Sequence, residues 1–138
     1  MKYIVFFILV TLLPVQAAWA DDFVLIANDG VPVESISRQE LQSIFLGKKK
    51  LWKGGRTVEP VLLESGQVHE AFLRRLVRKT PSQFSTYWKR MIFTGRSAAP
   101  RYVRSEKDMI SYVAGTEGAV GYVQNAPDNP AVKTLRLE

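Results

Sequence analysis

Apolar and polar positions change period several times along the chain, and each change marks an element. Phe23-Val24-Leu25-Ile26-Ala27 is an unbroken apolar run ending on Asn28-Asp29-Gly30, the pattern of a buried strand and a turn. Ser37, with Glu40 three residues on, has the spacing of a capping box. It opens a short helix with Leu41, Ile44 and Phe45 inward and Gly47 at its C-terminal end. After a lysine-rich loop and Gly54-Gly55, residues 57–63 read as a second strand, in which Pro60 implies an edge position or a bulge.

Helical periodicity dominates the middle. Val68, Phe72, Leu76 and Val77 recur at helical spacing while His69, Arg74, Arg75 and Arg78 fall largely on the other side, so residues 66–79 predict one amphipathic helix with His69 exposed. Thr80-Pro81-Ser82-Gln83 restarts the helix with a capping residue, a proline in the first turn and a box-closing Gln. Phe84, Trp88, Met91 and Ile92 continue the period to Thr94-Gly95. A further box, Ser105 to Asp108, opens a helix with Met109, Ile110 and Val113 inward, ending at Gly115; residues 119–123 and 132–137 read as closing strands. The order β-α-β-α-α-α-β-β predicts an α/β sheet with helices packed on it, and only the last two strands are close enough for a simple hairpin.

The N-terminus has a different pattern. Lys2 precedes an apolar run at 3–15 broken only by Thr11 and Pro14, and Ala18-Trp19-Ala20 is a small-x-small cleavage site. Residues 1–20 therefore read as a Sec-type signal peptide. The alternative, a membrane anchor, needs roughly 20 apolar residues. The expected working protein is 21–138, a single domain in the periplasm with no stable membrane span after cleavage.

Composition then narrows the chemistry. Cysteine is absent and His69 is the only histidine, which removes disulfide scaffolds, zinc ribbons, iron–sulfur sites and thiol nucleophiles. No cofactor, metal or catalytic set is called for: His69 beside Glu70 has no Asp placed to orient it as a base for Ser65. The formal net charge is +6, unevenly placed. Residues 48–107 carry fifteen bases against four acids, flanked by a 21–47 segment with one base against five acids and a 108–138 segment with two against four. A basic middle points to an anionic partner. For an exported chain, phosphate or a similar anion, a lipopolysaccharide or an acidic protein fits better than nucleic acid.

In open α/β sheets anions gather where strands end and helices begin. The leading place is Leu63-Glu64-Ser65-Gly66-Gln67, where the Ser65 hydroxyl and the Gly66 and Gln67 amides are offered to one oxyanion; on local pattern alone Ser65 fits a helix N-cap better than a ligand contact. Two further starts are 35–37 and Arg104-Ser105.

A longer pattern bears on this. Ile36-Ser37-Arg38-Gln39-Glu40-Leu41-Gln42-Ser43-Ile44-Phe45-Leu46-Gly47-Lys48, followed by Trp52, resembles a segment of the periplasmic phosphate-binding proteins of ABC transporters. Val58-Glu59-Pro60-Val61 with Ser65-Gly66 and Glu70-Ala71-Phe72 is similar to that family's strand, phosphate loop and following helix. Trp88, Ile92-Phe93-Thr94-Gly95, Pro100 and Gly118-Ala119-Val120-Gly121-Tyr122-Val123 follow in the family's order. The resemblance implies a single periplasmic-binding-protein-like lobe, an α/β domain with a mixed sheet, similar to the second of the family's two lobes. It also implies solute binding without catalysis, with Ser65 and Gly66 carried over from the family's anion loop and Gln67 added by the local reading of the helix start. The family's loop arginine and threonine have no counterpart here, and Arg96 or Arg101 is the candidate replacement charge. The competing expectation is a periplasmic protein-interaction module that has lost ligand binding, docking a protein or a second copy through exposed aromatics such as Trp52 and Tyr102.

Overall fold

A computed structural model describes residues 23–138; the signal-peptide reading of 1–20 lies outside the described residues. Six strands form one sheet: β1 (Val24–Asn28), β2 (Ser35–Ile36), β3 (Glu59–Leu63), β4 (Arg101–Val103), β5 (Ala119–Val123) and β6 (Val132–Leu137). Four α-helices accompany them: α1 (Arg38–Phe45), α2 (Gln67–Phe72), α3 (Pro81–Phe93) and α4 (Glu106–Gly115). The sheet order is β2-β6-β1-β5-β3-β4. The sheet is mixed as expected, because β3 runs parallel to both β4 and β5 while β1 is antiparallel to β5 and β6.

Four sequence expectations change. Strands β5 and β6 form no hairpin, because β1 lies between them. The two- and three-residue strands β2 and β4 were not foreseen; neither is long enough to show a period. Pro60 marks neither an edge nor a bulge. Parallel neighbours take alternate N–H groups, and Glu64 N–H donates to the Val103 carbonyl. The position of Pro60 thus faces the β4 side, one residue before β4 begins opposite Val61. The missing donor removes no bond there.

The fourth change is in the predicted helix 66–79, which is α-helical only to Phe72. It widens into a π-turn over Leu73–Val77 and stops at Arg78, in the left-handed conformation at φ 63°. His69, Phe72, Leu73 and Leu76 follow the i, i+3, i+4, i+7 spacing of a buried stripe, so His69 is inside at 5% exposure rather than outside. Trp52 is likewise buried, its indole N–H donating to the Gly118 carbonyl at 2.8 Å.

The core lies between β1, β3, β5 and the helices. Tyr122 stacks on Phe72 with ring centroids 3.9 Å apart, and Phe45 meets Phe72 edge-on at 4.7 Å. Trp88 anchors α3 to the end of α1 by donating to the Phe45 carbonyl. Helix α3 then outruns the core: Met91 is half-buried, Ile92 is 48% exposed and Phe93 is 93% exposed.

Candidate functional site

Because β3, β4 and β5 are parallel, their C-terminal ends share one edge of the sheet. The chain leaves β3 through Glu64, Ser65 and Gly66 into α2, leaves β4 through Arg104 and Ser105 into α4, and leaves β5 at Gln124. Ser65, Gly66 and Gln67 are all exposed at this edge.

The helix starts differ in how their N–H groups are used. Ser37 accepts from Glu40 N–H at the start of α1, Thr80 and Gln83 form a complete capping box on α3, and Ser105 accepts from Asp108 N–H on α4. The α4 start also holds the protein's own anion, since Glu106 accepts from Gln124 N–H. Helix α2 alone among these four has no side-chain cap. Its N-cap is Gly66, at φ 107° and ψ 172°, and the first bond of the turn is Glu70 N–H to the Gly66 carbonyl at 3.0 Å. The N-cap alternative for Ser65 is thereby corrected: Gly66 takes that position because the chain turns through a conformation only glycine adopts freely. A Cβ built on Gly66 meets nothing within 4 Å, so the turn opens outward.

Charge at the turn comes from both signs. Glu64 is half exposed, and Arg104 Nε lies 3.9 Å from its carboxylate. A cleft of about 270 Å³ beside the turn is lined by Gln67, Glu70, Arg74 and Gln124 among others, which places a second guanidinium on the same helix. Arg96 is not brought to this site. It follows α3, its N–H bonded to the Met91 carbonyl and its own carbonyl facing Lys50 Nζ, and so lies before the N-terminal edge of β4 at the opposite end of the sheet. Arg101 stacks over the Tyr112 ring at 5.1 Å. Arg104, read from sequence only as part of another helix start, is the basic residue next to the loop.

Beneath the turn lies a polar group that sequence reasoning missed. Tyr122 OH accepts from Leu63 N–H at 3.0 Å and lies 2.6 Å from His69 Nδ1. A neutral His69 makes this bond in either tautomer, Nδ1 accepting the phenol proton or donating to the phenol oxygen. Burial holds His69 below its ordinary pKa, against a smaller opposite effect of the Glu70 carboxylate. Burial also pushes the Tyr122 phenol far above its usual range. With Nδ1 engaged by Tyr122, His69 fixes the floor of the turn. Among the described residues, no three His, Asp or Glu side chains are grouped to hold a metal, and no helix is long and apolar enough to cross a membrane.

Solved structures share this architecture. An ABC-type phosphate transport receptor from Vibrio cholerae superposes with a TM-score of 0.56 at 19% identity, over 85% of this chain and 46% of that one. A protein from Clostridium perfringens, described as a phosphate ABC transporter substrate-binding protein with bound phosphate, gives a TM-score of 0.66 at 21% identity, over 85% and 45%. PstS from Borrelia burgdorferi gives 0.64 at 14%, over 85% and 47%. The likeness is one of fold. The chain spans about half the length of each, as one lobe of a two-lobed protein would. Comparison with protein-family models finds no match, and comparison with curated proteins finds none either.

Proposed function

We propose that the chain is an exported, periplasmic, non-enzymatic module that binds phosphate or a similar oxyanion weakly at the start of α2, in an accessory or sensing role. The carrying observation is the uncapped start of α2, in a fold whose other three α-helices are capped by their own side chains. In this reading the amides of Ser65, Gly66 and Gln67 donate to the anion, Arg104 supplies positive charge, and Glu64 accepts a hydrogen bond from the O–H of an anion that still carries a proton. That last contact favours hydrogen phosphate over sulfate, which has no proton to give at neutral pH.

Affinity follows from exposure. A charge-assisted bond contributes roughly 1.5–3 kcal/mol, and millimolar binding needs only about 4 kcal/mol. Two or three such bonds, weakened by water and salt at an open turn, place the dissociation constant in the millimolar range. The test is a phosphate titration followed by amide chemical shifts. Saturable shifts centred on residues 65–67, weakened by Arg104→Gln, are expected; sulfate should produce smaller ones. No shift at these amides by about 20 mM phosphate, well past a millimolar dissociation constant, would refute the reading.

A second reading has its own observation. Strand β4 is an edge of the sheet, and Tyr102 on it is 38% exposed. Docking of a periplasmic protein or a second copy along this edge would be seen as a concentration-dependent mass in size exclusion with light scattering, lost in Tyr102→Ser.

A further inference from the structure

The opposite edge of the sheet carries a surface that anion binding at α2 does not use. Here the hairpin closed by the Leu51–Thr57 bridge meets the end of α3. Lys50 Nζ lies 3.4 Å from the Arg96 carbonyl, and both segments line one cleft of about 240 Å³ with Trp88 and Pro100. Three apolar side chains stand out from these segments: Leu51 at 54% exposure, Ile92 at 48% and Phe93 at 93%.

Cations accompany them. Lys48, Lys50, Lys53, Lys89, Arg90 and Arg96 are exposed, and among the described residues no ion pair engages any of the six. Carboxylates at this edge are sparse or occupied: Lys49 engages Glu40, Arg56 lies 3.6 Å from Glu117, Glu59 is half-buried in the cleft and Asp29 sits in the turn after β1. Along the chain no Asp or Glu occurs between Glu70 and Glu106.

We infer that this edge docks on an anionic lipid bilayer, with Phe93, Ile92 and Leu51 entering the headgroup region and the surrounding lysines and arginines meeting lipid phosphates. Two features favour a bilayer over an acidic protein. Ile92 and Phe93 protrude from the end of α3 and Leu51 from the base of the hairpin, and none of the three lines the adjacent cleft, so the apolar contact is offered outward and not into a groove. Apart from Lys50, which meets the Arg96 carbonyl, the cations are spread around them with no carboxylate partner, which suits a fluid array of charges better than a complementary set of carboxylates.

The test is hydrogen–deuterium exchange of the full chain with vesicles of phosphatidylethanolamine and phosphatidylglycerol, compared with phosphatidylethanolamine and phosphatidylcholine. Protection of peptides covering 48–56 and 89–97 is expected on the anionic vesicles alone and should be released by about 0.5 M salt, where the screening length falls to a few ångströms. Phe93→Ser should weaken partitioning about tenfold, the order expected from losing one inserted aromatic side chain. Lys89→Glu with Arg90→Glu should weaken it at least as much. Because these side chains are exposed, the urea midpoint of each variant should stay at the wild-type value, showing that the fold is intact. Vesicle binding that leaves both peptides unprotected, as attachment through residues 3–15 would, overturns the inference. So does equal protection by soluble polyglutamate with no effect of Phe93→Ser, which would assign the surface to an acidic protein.

Discussion

Replacing Tyr122 by Phe removes a single oxygen from the middle of the core, and the structure sets the cost. The ring stays: its stacking on Phe72 at 3.9 Å and its burial depend on no hydroxyl. What goes is the partner of two buried groups, Leu63 N–H and His69 Nδ1. Leu63 has no ladder bond to fall back on. Strand β3 pairs with β5 only at Glu59 and Pro60, and by alternation Leu63 N–H points toward β5, where the tyrosine hydroxyl stands in for the next rung. Each buried polar group left without a partner costs about 1–3 kcal/mol, so the pair together costs about 2–6 kcal/mol. With a urea dependence of about 2 kcal/mol per molar, the middle of the usual range, the unfolding midpoint should fall by about 1–3 M with an unchanged slope. Trp52 and Trp88, both buried, report the transition by fluorescence. A loss below about 0.5 kcal/mol, the lower end for a net hydrogen bond, would show that water replaces the hydroxyl and that the group beneath the anion turn is not sealed.

Two further outcomes follow from the same core. His69 has a folded pKa below its ordinary value, so the unfolded chain binds its proton more readily. The neutral ring's contribution is full above about pH 6.5 and is lost as the pH falls through the lower folded value. Urea midpoints taken between pH 7.5 and 5 should fall more steeply for wild type than for His69→Gln, and parallel curves would refute the assignment. Gly118 sits at φ 81° with Thr57's carbonyl where a Cβ would go, and its own carbonyl receives Trp52 and Glu59 N–H donors. Gly118→Ala, which meets both a positive φ and the Thr57 carbonyl, should cost more than Gly66→Ala, which in open space bears only the roughly 1–3 kcal/mol of an extended positive-φ backbone.

Much of the fold was legible because its elements announce themselves locally. The caps at Ser37, Thr80 and Ser105 each engage the N–H that their spacing implied, and the apolar runs at 23–27 and 119–123 contain central strands. What escaped was set by neighbours rather than by local pattern. His69 looks polar in a one-dimensional reading, yet it can be buried because Tyr122, fifty-three positions away, supplies its bond. The π-turn after Phe72 has no periodic signature of its own, and β4 exists only because β3 lies beside it. At the candidate site the glycine turn was readable as Ser65-Gly66. Which arginine accompanies it was not: the sequence offered Arg96 or Arg101, and only the parallel run of β3 and β4 puts Arg104 beside the turn and Arg96 at the opposite end.

The placement of β1 bears on how this chain reaches its folded state. Its partners are Val123 back to Val120 on one side and Leu135 back to Val132 on the other, roughly a hundred residues downstream. The first strand to emerge thus waits for the last two, and β2 waits with it, since it pairs with β6 alone. Loops of that length close slowly, and sheets built from distant pairings fold on the millisecond-to-second scale rather than in microseconds. Acquisition of structure is therefore a late closing event. A chain still being synthesised, or still being threaded through a pore, has no place in the sheet for its leading strand to rest until residues 119–137 arrive.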